Sequence, residues 1–305
     1  MGCKVGIIGA AGTLGSCAAF TIATAGTAEE LWLFDVKKNL LRSHFMDIQT
    51  AAAVLNDTSV HVGEDEDLAG CDIVVVAAGA PWRQISSRME LLGDGLPIVR
   101  DTAEKLRRFC PEAVVLTATN PVDPVNYAMH VHSGMDRTRL IGYTINDSYR
   151  FRMLVARALG TTATHVEGHV LGEHGEHQVP LFSALRVGGN PFPADAAFQE
   201  RILGEIPKIL RAYESLGTGR TSGWTSAVGL ADMVHAIVHD SGEIFPCSVV
   251  LDGEYGRRGF SACVPARLGR AGVLEVREWK LAPEERAKLD RAFDYLEANA
   301  RALSP

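Results

Sequence analysis

Two segments in the middle of the chain carry side chains that could act on a hydroxy acid. Residues 170–176 (VLGEHGE) place His174 in a glycine-flanked turn. Residues 146–150 (NDSYR) place Asp147 three positions before Arg150. An imidazole can exchange a proton with an alcohol oxygen, and a nearby carboxylate can orient the ring and stabilise its charged form. A guanidinium can bind a carboxylate through two parallel hydrogen bonds, so the three side chains together would suit acid–base chemistry on a 2-hydroxy acid.

Each of these residues also has a simpler interpretation. Arg150 and Arg152 could be surface arginines of an amphipathic helix, and Asp147 could be the cap of that helix. The catalytic interpretation therefore depends on whether the chain also carries a cofactor site.

A dinucleotide-binding pattern lies at the N-terminus. Residues 4–8 (KVGII) are typical of a buried parallel strand, and residues 9–15 (GAAGTLG) follow directly, before a segment that suits a helix. Such glycines allow a tight turn and a close approach of the backbone to a pyrophosphate, which the helix N-terminus also attracts. A second apolar run ends in Asp35, where an acid binds ribose hydroxyls and repels a 2′-phosphate. The pattern predicts binding of NAD and not NADP.

Composition narrows the class of protein. The chain has 305 residues, enough for one or two domains with a substantial core. Its net charge of −7 and the lack of a basic stripe argue against a nucleic-acid partner. We find no long apolar span for a membrane helix and no room for a signal peptide before the first strand. Six scattered cysteines without a CxxC pair suggest reduced thiols, so we expect a cytoplasmic protein.

Alternating strand-like and helix-like segments in the first half predict an α/β fold with a doubly wound parallel (Rossmann) sheet. Beyond about residue 145 the pattern changes, and we expect residues 1–144 to form an NAD-binding domain and residues 145–305 an α+β substrate domain. Beyond the first two strands, the predicted helices cover residues 38–55, 97–109, 147–159 and 198–216. Three more are predicted: one that carries Tyr127 and Met129, one that begins near Thr221 and continues through residues 227–239, and one from Pro283. The predicted strands cover residues 59–62, 72–78, 113–117, 139–142, 164–171, 180–187, 248–252 and 260–264.

Taken together, the motifs resemble those of the lactate/malate dehydrogenase family over essentially the whole chain. The glycine turn and residues 93–98 are most similar to the lactate-dehydrogenase-like malate dehydrogenases. The matching positions are the turn through Gly15, Asp35, the loop with Arg88, residues 119–123 (TNPVD), Asp147 with Arg150, and residues 171–175 (LGEHG).

The resemblance implies a role for each matching residue. His174 would be the general acid/base, Asp147 its orienting carboxylate, and Arg150 the clamp on the substrate carboxylate. Arg88, on a mobile loop, would polarise the substrate carbonyl, Asn120 would orient the substrate oxygen and the nicotinamide, and Ser222 would lie near the substrate. The cofactor residues expected are Gly9, Gly12, Thr13, Leu14, Gly15, Asp35, Gly79 and Asn120.

The sequence departs from the family where the substrate side chain is recognised, six residues before Arg88. Malate enzymes have an arginine there and lactate enzymes a glutamine, whereas this chain has Trp82, followed by Arg83. If the family register holds, Trp82 favours a large or apolar 2-oxo acid. If the loop slips by one residue, Arg83 binds the second carboxylate of oxaloacetate. Malate ranks first and lactate is the weaker alternative.

Other functions fit these residues less well. The short-chain dehydrogenases share the glycine turn, but they need a tyrosine followed four residues later by a lysine, and no tyrosine here has one. A catalytically silent NAD-binding sensor is expected to lack the general base or the carboxylate-binding arginine. In this chain His174 and Arg150 are both present. A metal site among His165, His169, His174 and His177 does not fit the zincin spacing, so we expect none. By resemblance, a homodimer or homotetramer is expected.

Overall fold

A computed structural model describes residues 2–80, 88–218 and 222–303. Six parallel strands organise the N-terminal half: β1 (Lys4–Ile8), β2 (Glu30–Phe34), β3 (Ser59–Val62), β4 (Ile73–Val76), β5 (Val114–Thr117) and β6 (Leu140–Gly142). Their order in space is β3-β2-β1-β4-β5-β6. From β1 the chain first adds β2 and β3 on one side of the sheet. It then crosses back and adds β4, β5 and β6 on the other side. A ligand crevice is expected beyond the carboxyl ends of the strands at this switch between β1 and β4.

Helices cover both faces of this sheet. In chain order they are α1 (Thr13–Ala25), α2 (Lys38–Leu55), α3 (Arg88–Phe109), α4 (Val122–Ser133), α5 (Asn146–Leu159), α6 (Ala196–Ser215), α7 (Trp224–Val238) and α8 (Pro283–Arg301). In β4, Ile73 and Val75 join the core cluster that includes α1 and α7, whereas Val74 and Val76 join the cluster that includes α3 and α4. A strand buried on both sides needs apolar residues at every position, which explains its unbroken Ile-Val-Val-Val run.

The C-terminal half extends the same sheet with antiparallel strands. The strand β12 (Ile244–Asp252) pairs with β6 and with β13 (Arg258–Gly269), which in turn contacts β14 (Gly272–Val276) and β8 (Val170–Gly172), and β8 pairs with β9 (Gln178–Pro180). A small separate sheet contains β7 (Val166–Glu167), β10 (Arg186–Val187) and β11 (Asn190–Pro191). The predicted fold class, a doubly wound sheet followed by a mixed C-terminal part, is confirmed. The domain boundary after residue 144 stays a prediction.

Two predicted strands are wrong. The stretch 164–171 is divided at Gly168 between β7 and β8, which belong to different sheets. A Cβ at Gly168 would lie 2.9 Å from the ring of Phe151, so the chain passes close to that core residue as it changes sheets. The stretch 180–187 is interrupted by a short 3₁₀ turn at Phe182–Ala184, between the end of β9 at Pro180 and β10 at Arg186–Val187.

Helix α3 begins nine residues earlier than predicted. The predicted helix covers residues 97–109, with Pro97 as its first residue. In the structure Pro97 lies inside the helix, where it removes one backbone hydrogen bond. Leu92 and Val99, on either side of it, are both buried in the core. This packing outweighs the local preference for a break.

Helix α8 packs on β13 through the face predicted from its sequence, and that face is buried. Its residues are Leu289, Phe293, Leu296 and Ala300. Among the helices of the described ranges, none combines the length and the apolar character needed to cross a membrane.

Candidate active site

A cleft of about 1760 Å³ opens beyond the carboxyl ends of β1, β2, β4 and β5 and reaches the C-terminal half. It is large enough for a dinucleotide together with a small acid, since pockets for single small ligands measure about 300–1,000 Å³. The predicted site residues that line it are Gly9, Gly12, Thr13, Leu14, Asp35, Gly79, Asn120, Asp147, Arg150, His174 and Ser222. Trp82 and Arg83 lie outside the described residues, and so does the side chain of Arg88.

The glycine turn is shaped as a phosphate site requires. Gly9 has a φ of +91°, and a Cβ there would lie 2.5 Å from the backbone nitrogen of Ala78. Gly15, in the first turn of α1, is buried and is absent from the described cleft lining. A Cβ on Gly15 would collide with the carbonyl oxygen of Gly9. Gly15 therefore lets α1 approach β1, and the cleft-lining glycines leave backbone exposed to a ligand.

Asp35 directly follows β2 at the rim of the cleft. Its Oδ2 accepts a hydrogen bond from the backbone nitrogen of Ala11, and its Oδ1 accepts one from that of Lys37, both at 2.9 Å. Each carboxylate oxygen has a second acceptor position, so ribose hydroxyls could still donate to it. The residues around the cleft thus fit an NAD molecule: a glycine turn for the pyrophosphate and a fixed carboxylate for the adenosine.

At the other end of the cleft, His174 pairs with Asp147. Its Nδ1 lies 2.6 Å from Oδ2 of Asp147, and the two side chains are 13% and 7% exposed. An ionised carboxylate can only accept, so Nδ1 carries the proton and Nε2 is the nitrogen that can take another. Asp147 also lies 3.5 Å from a terminal nitrogen of Arg150, one helical turn later on α5. The alternative that Asp147 caps α5 is wrong, because Ile145 is the cap residue.

The backbone of His174 is held by Asp123, for which the sequence motifs predict no role. Oδ2 of Asp123 accepts a hydrogen bond from the backbone nitrogen of His174 at 2.7 Å. Oδ1 of Asp123 accepts one from the hydroxyl of Ser248 at 2.5 Å. Burial raises the pKa of Asp123 to about 6, although both hydrogen bonds favour the ionised form. Residues 119–123 belong to a recognised motif, but nothing in the sequence links Asp123 to His174 or Ser248.

A second set of polar contacts connects α5 to α7 beside the substrate end. Asn146 accepts a hydrogen bond from the hydroxyl of Tyr143 at 2.8 Å and donates one to the hydroxyl of Ser226 at 2.6 Å. Ser226 in turn donates to the carbonyl oxygen of Ser222 at 3.0 Å. These four residues line the cleft, and the contacts fix the backbone of Ser222 in its wall.

The remaining histidines are spread over different surroundings. His165 is exposed in a 3₁₀ turn just before β7. His169 packs against Trp279 with ring centroids 4.9 Å apart, and burial lowers its pKa to about 4. Within the described ranges, no group of three or more His, Cys, Asp or Glu side chains is arranged to hold a metal ion.

Two family models match the chain end to end. Residues 3–142 match the NAD binding domain of lactate/malate dehydrogenase, and residues 144–303 match its alpha/beta C-terminal domain. The prediction of NAD as cofactor is confirmed by the first match.

Several named relatives align with nearly the whole chain. The malate dehydrogenase of Natronomonas pharaonis is 38% identical over 96% of this chain and 97% of its own. That of Halobacterium salinarum is 37% identical over 97% of both chains. Among solved structures, the malate dehydrogenase from Aeropyrum pernix is 31% identical with a TM-score of 0.91, covering 98% of this chain and 97% of that one.

A further solved structure carries ligands. It is the lactate dehydrogenase of Cryptosporidium parvum, in complex with lactic acid and nicotinamide adenine dinucleotide. It is 26% identical, with a TM-score of 0.93, and the alignment covers 99% of this chain and 98% of that one. The full-length matches confirm the resemblance read from the motifs, and the chain belongs to the lactate/malate dehydrogenase family of NAD-dependent dehydrogenases.

Proposed function

We propose that this chain interconverts malate and oxaloacetate with NAD. The observation that carries the proposal is the His174–Asp147 pair, which shares one cleft with Arg150 and the glycine turn. Malate is favoured as substrate because the relatives at 36–38% identity are named malate dehydrogenase.

His174 acts as the general acid/base in this proposal. During malate oxidation its Nε2 takes the proton of the C2 hydroxyl, and during oxaloacetate reduction it returns that proton. The Asp147 carboxylate, 2.6 Å from Nδ1, keeps the ring in the required tautomer and stabilises the imidazolium. When bound, NAD supplies the acceptor for the hydride that leaves C2.

Arg150 binds the C1 carboxylate of the substrate. Its guanidinium carries five N–H donors, and the contact with Asp147 engages only one terminal nitrogen. Two parallel hydrogen bonds to a carboxylate fix both its distance and its orientation. The substrate C2 is thereby held beside the imidazole, because Arg150 and His174 both contact the Asp147 carboxylate, at 3.5 Å and 2.6 Å.

The remaining roles follow from the family resemblance. Arg88 polarises the C2 carbonyl, Asn120 orients the carbonyl oxygen and the nicotinamide, and Ser222 lies near the substrate. For the cofactor, Gly9, Gly12, Thr13, Leu14 and Gly79 surround the phosphates and nicotinamide ribose, Gly15 lets the helix approach, and Asp35 binds the adenine ribose.

The choice among 2-oxo acids is tested by NADH oxidation with oxaloacetate, pyruvate and bulky 2-oxo acids. We expect the highest kcat/KM with oxaloacetate. A preference for a bulky 2-oxo acid would favour the register in which Trp82 faces the substrate, and a preference for pyruvate would favour a lactate enzyme. Cofactor binding without turnover of any of these acids would identify an NAD-binding sensor.

The slipped register makes one further expectation. If Arg83 binds the second carboxylate, Arg83→Gln should lower kcat/KM for oxaloacetate about 100-fold, because an unpaired carboxylate in such a pocket costs several kcal/mol. Arg186→Gln, on an exposed strand outside the cleft, is the matched control. Unchanged oxaloacetate kinetics in Arg83→Gln would exclude the slipped register.

We further infer a homodimer or homotetramer in the cytoplasm. Phe20 on α1 and Trp224 and Val228 on α7 are 50%, 68% and 51% exposed, and the two helices pack together. Exposed apolar side chains on adjacent helices favour a contact between proteins. The six cysteines, all in the described part of the chain, are thiols and not disulfides, as expected in a reducing compartment. Sedimentation velocity at micromolar concentration tests the assembly, and a monomer would contradict it.

A further inference from the structure

Two aspartates hold His174, and each comes from the first turn of a different helix. Asp147 is the second residue of α5 and contacts the imidazole. Asp123 is the second residue of α4 and accepts the backbone N–H of His174. One aspartate therefore orients the ring, and the other fixes the peptide unit from which the ring projects.

The Asp123 carboxylate is itself held from the opposite side. Ser248, on β12, donates to it and lies 2.9 Å from the hydroxyl of Ser261 on the neighbouring strand β13. Ser261 also accepts a hydrogen bond from Asn126, one turn after Asp123 on α4, at 2.9 Å. All four residues are buried. Asp123 thus ties the loop of His174 to α4 and to two strands of the C-terminal half.

An ionised carboxylate at this depth is costly for the fold. Asp123 is 1% exposed, and desolvation outweighs the hydrogen bonds that it accepts, which is why its pKa is raised. An apolar residue of similar size would avoid this cost. Asp123 is also absent from the described lining of the cleft. Among the described residues, Asp123 is linked to the proposed reaction through the backbone of His174.

We propose that Asp123 is a positioning residue for the acid–base step: its carboxylate, held by Ser248, fixes the peptide of His174 and thereby the place of the imidazole in the cleft. The inference rests on the proposed function, because the position of His174 affects the rate only if His174 is the general acid/base. A displacement of about 1 Å in a reacting group can lower the rate about 100-fold.

Two variants separate the hydrogen bond of Asp123 from its charge. Asp123→Ala removes the acceptor, and we expect kcat to fall about 100-fold while the Kd for NADH changes less than about twofold. Asp123→Asn keeps an acceptor for the His174 N–H, because its amide group can donate to Ser248 and Ser248 can donate to Ser261. We expect this conservative variant to restore kcat to within about fivefold of wild type.

Glu285 provides a closely matched control. It is a buried carboxylate on α8 that accepts the backbone N–H of Ser183 at 2.9 Å and also the Ser183 hydroxyl, and it is absent from the described cleft lining. Glu285→Ala therefore removes a carboxylate that, like that of Asp123, accepts one backbone N–H and one serine hydroxyl, but it does so away from His174. We expect its kcat to stay within about twofold of wild type.

A measurement without turnover tests the same point. The rate at which diethyl pyrocarbonate modifies His174, followed by peptide mass spectrometry, reports how accessible the imidazole is. We expect this rate to rise at least about threefold in Asp123→Ala but not in Glu285→Ala, because a released loop exposes more of the ring. His235 and His239 are exposed in the same protein and serve as internal references. If wild type turns over no 2-oxo acid, the proposed function fails, whereas the modification rates still decide the role of Asp123.

The proposal is overturned if folded Asp123→Ala keeps kcat within about fivefold of wild type or shows an unchanged modification rate at His174. If Asp123→Ala does not fold, Ser248→Ala replaces it. We expect Ser248→Ala to lower kcat about tenfold, because the carboxylate then has one anchor fewer. Ser248→Ala kinetics equal to those of Glu285→Ala would then refute the proposed role.

Discussion

His174 is the residue on which the proposed chemistry depends most directly. His174→Asn removes the nitrogen that takes the proton but keeps a side chain that can contact Asp147. We expect kcat to fall about 10³–10⁴-fold, since general acid–base catalysis contributes on this scale. NADH binding, measured by fluorescence titration, should be unchanged because the glycine turn and Asp35 are intact. A variant with kcat near that of wild type would remove His174 from the mechanism.

Arg150 is expected to act mainly on substrate affinity. Arg150→Lys keeps the positive charge but loses the planar pair of donors, so we expect KM for oxaloacetate to rise about 10–100-fold with a smaller change in kcat. Arg152→Lys is the control on the same helix, because Arg152 bonds to the carbonyl of Gly168 and is absent from the described cleft lining. An unchanged KM in Arg150→Lys would contradict the clamp.

At the scale of single residues, the sequence identifies side chains whose chemistry is recognisable from a local motif. Asp147 is predicted because it stands three positions before Arg150, and the structure pairs it with His174. Asp123 receives no role because its partners are 51 and 125 positions away along the chain. Such contacts arise only from the folded arrangement of α4, β12 and the His174 loop, and no spacing rule reveals them.

At the scale of elements, the junction between β1 and α1 should be sensitive to one methyl group. A Cβ on Gly15 would collide with the backbone of Gly9, so Gly15→Ala must push α1 away from the turn. We expect a lower melting temperature and at least about a tenfold weaker Kd for NADH, since a bound anion depends on the position of the helix N-terminus.

The matched control is Gly204→Ala, also inside a helix. Gly204 is exposed on α6, and a Cβ there would have no neighbour within 4 Å. Its melting temperature should rise slightly, because alanine stabilises an exposed helix by about 0.5–1 kcal/mol relative to glycine. Equal behaviour of the two variants in thermal unfolding and NADH titration would show that the β1–α1 junction tolerates the extra methyl group.

Elements set by local pattern were predicted well, and those set by distant packing were not. Helix α2 and strand β3 begin and end at the predicted residues, because their periodicity and flanking residues are sufficient. The stretch 164–171 has the composition of one strand, yet its two ends pair with β10 and β13. Pro97 has the local signature of a helix start, but buried neighbours continue α3 on both sides of it.

For the molecule as a whole, the cleft depends on the N-terminal and C-terminal halves together. Gly9, Asp35 and Asn120 reach it from the first half, whereas Asp147 and His174 reach it from the second. The family resemblance predicts this convergence, because it orders the motifs along the chain. The sequence does not decide which 2-oxo acid is the substrate. That choice depends on whether Trp82 or, after a shift of the loop by one residue, Arg83 faces the substrate.

The cost of a buried carboxylate at this junction should appear in the pH dependence of global stability. Burial raises the pKa of Asp123 from 3.8 to about 6 and the nearby Glu173 adds to this, against the opposing effects of Ser248 and His174. The Asp123 carboxyl therefore binds its proton more tightly in the folded chain than in the unfolded chain. The stabilisation of the fold that results is fully present below pH 3.8 and is lost as the pH rises through 6. A shift of this size corresponds to about 3 kcal/mol.

Asp123→Asn cannot ionise, so it should escape this loss. In urea unfolding we expect the stability of Asp123→Asn relative to wild type to increase by about 2–3 kcal/mol between pH 4 and pH 8. Effects of the substitution that do not depend on pH cancel in this comparison, and so do the titrations that both proteins share. A difference in unfolding free energy that stays constant between the two pH values would mean that Asp123 ionises in the folded protein as easily as in the unfolded chain. If the unfolding free energy of Asp123→Asn relative to wild type increases with pH, the ionised Asp123 carboxylate destabilises the fold. The chain would then keep this charge at the position where it holds the His174 backbone for the proposed acid–base step.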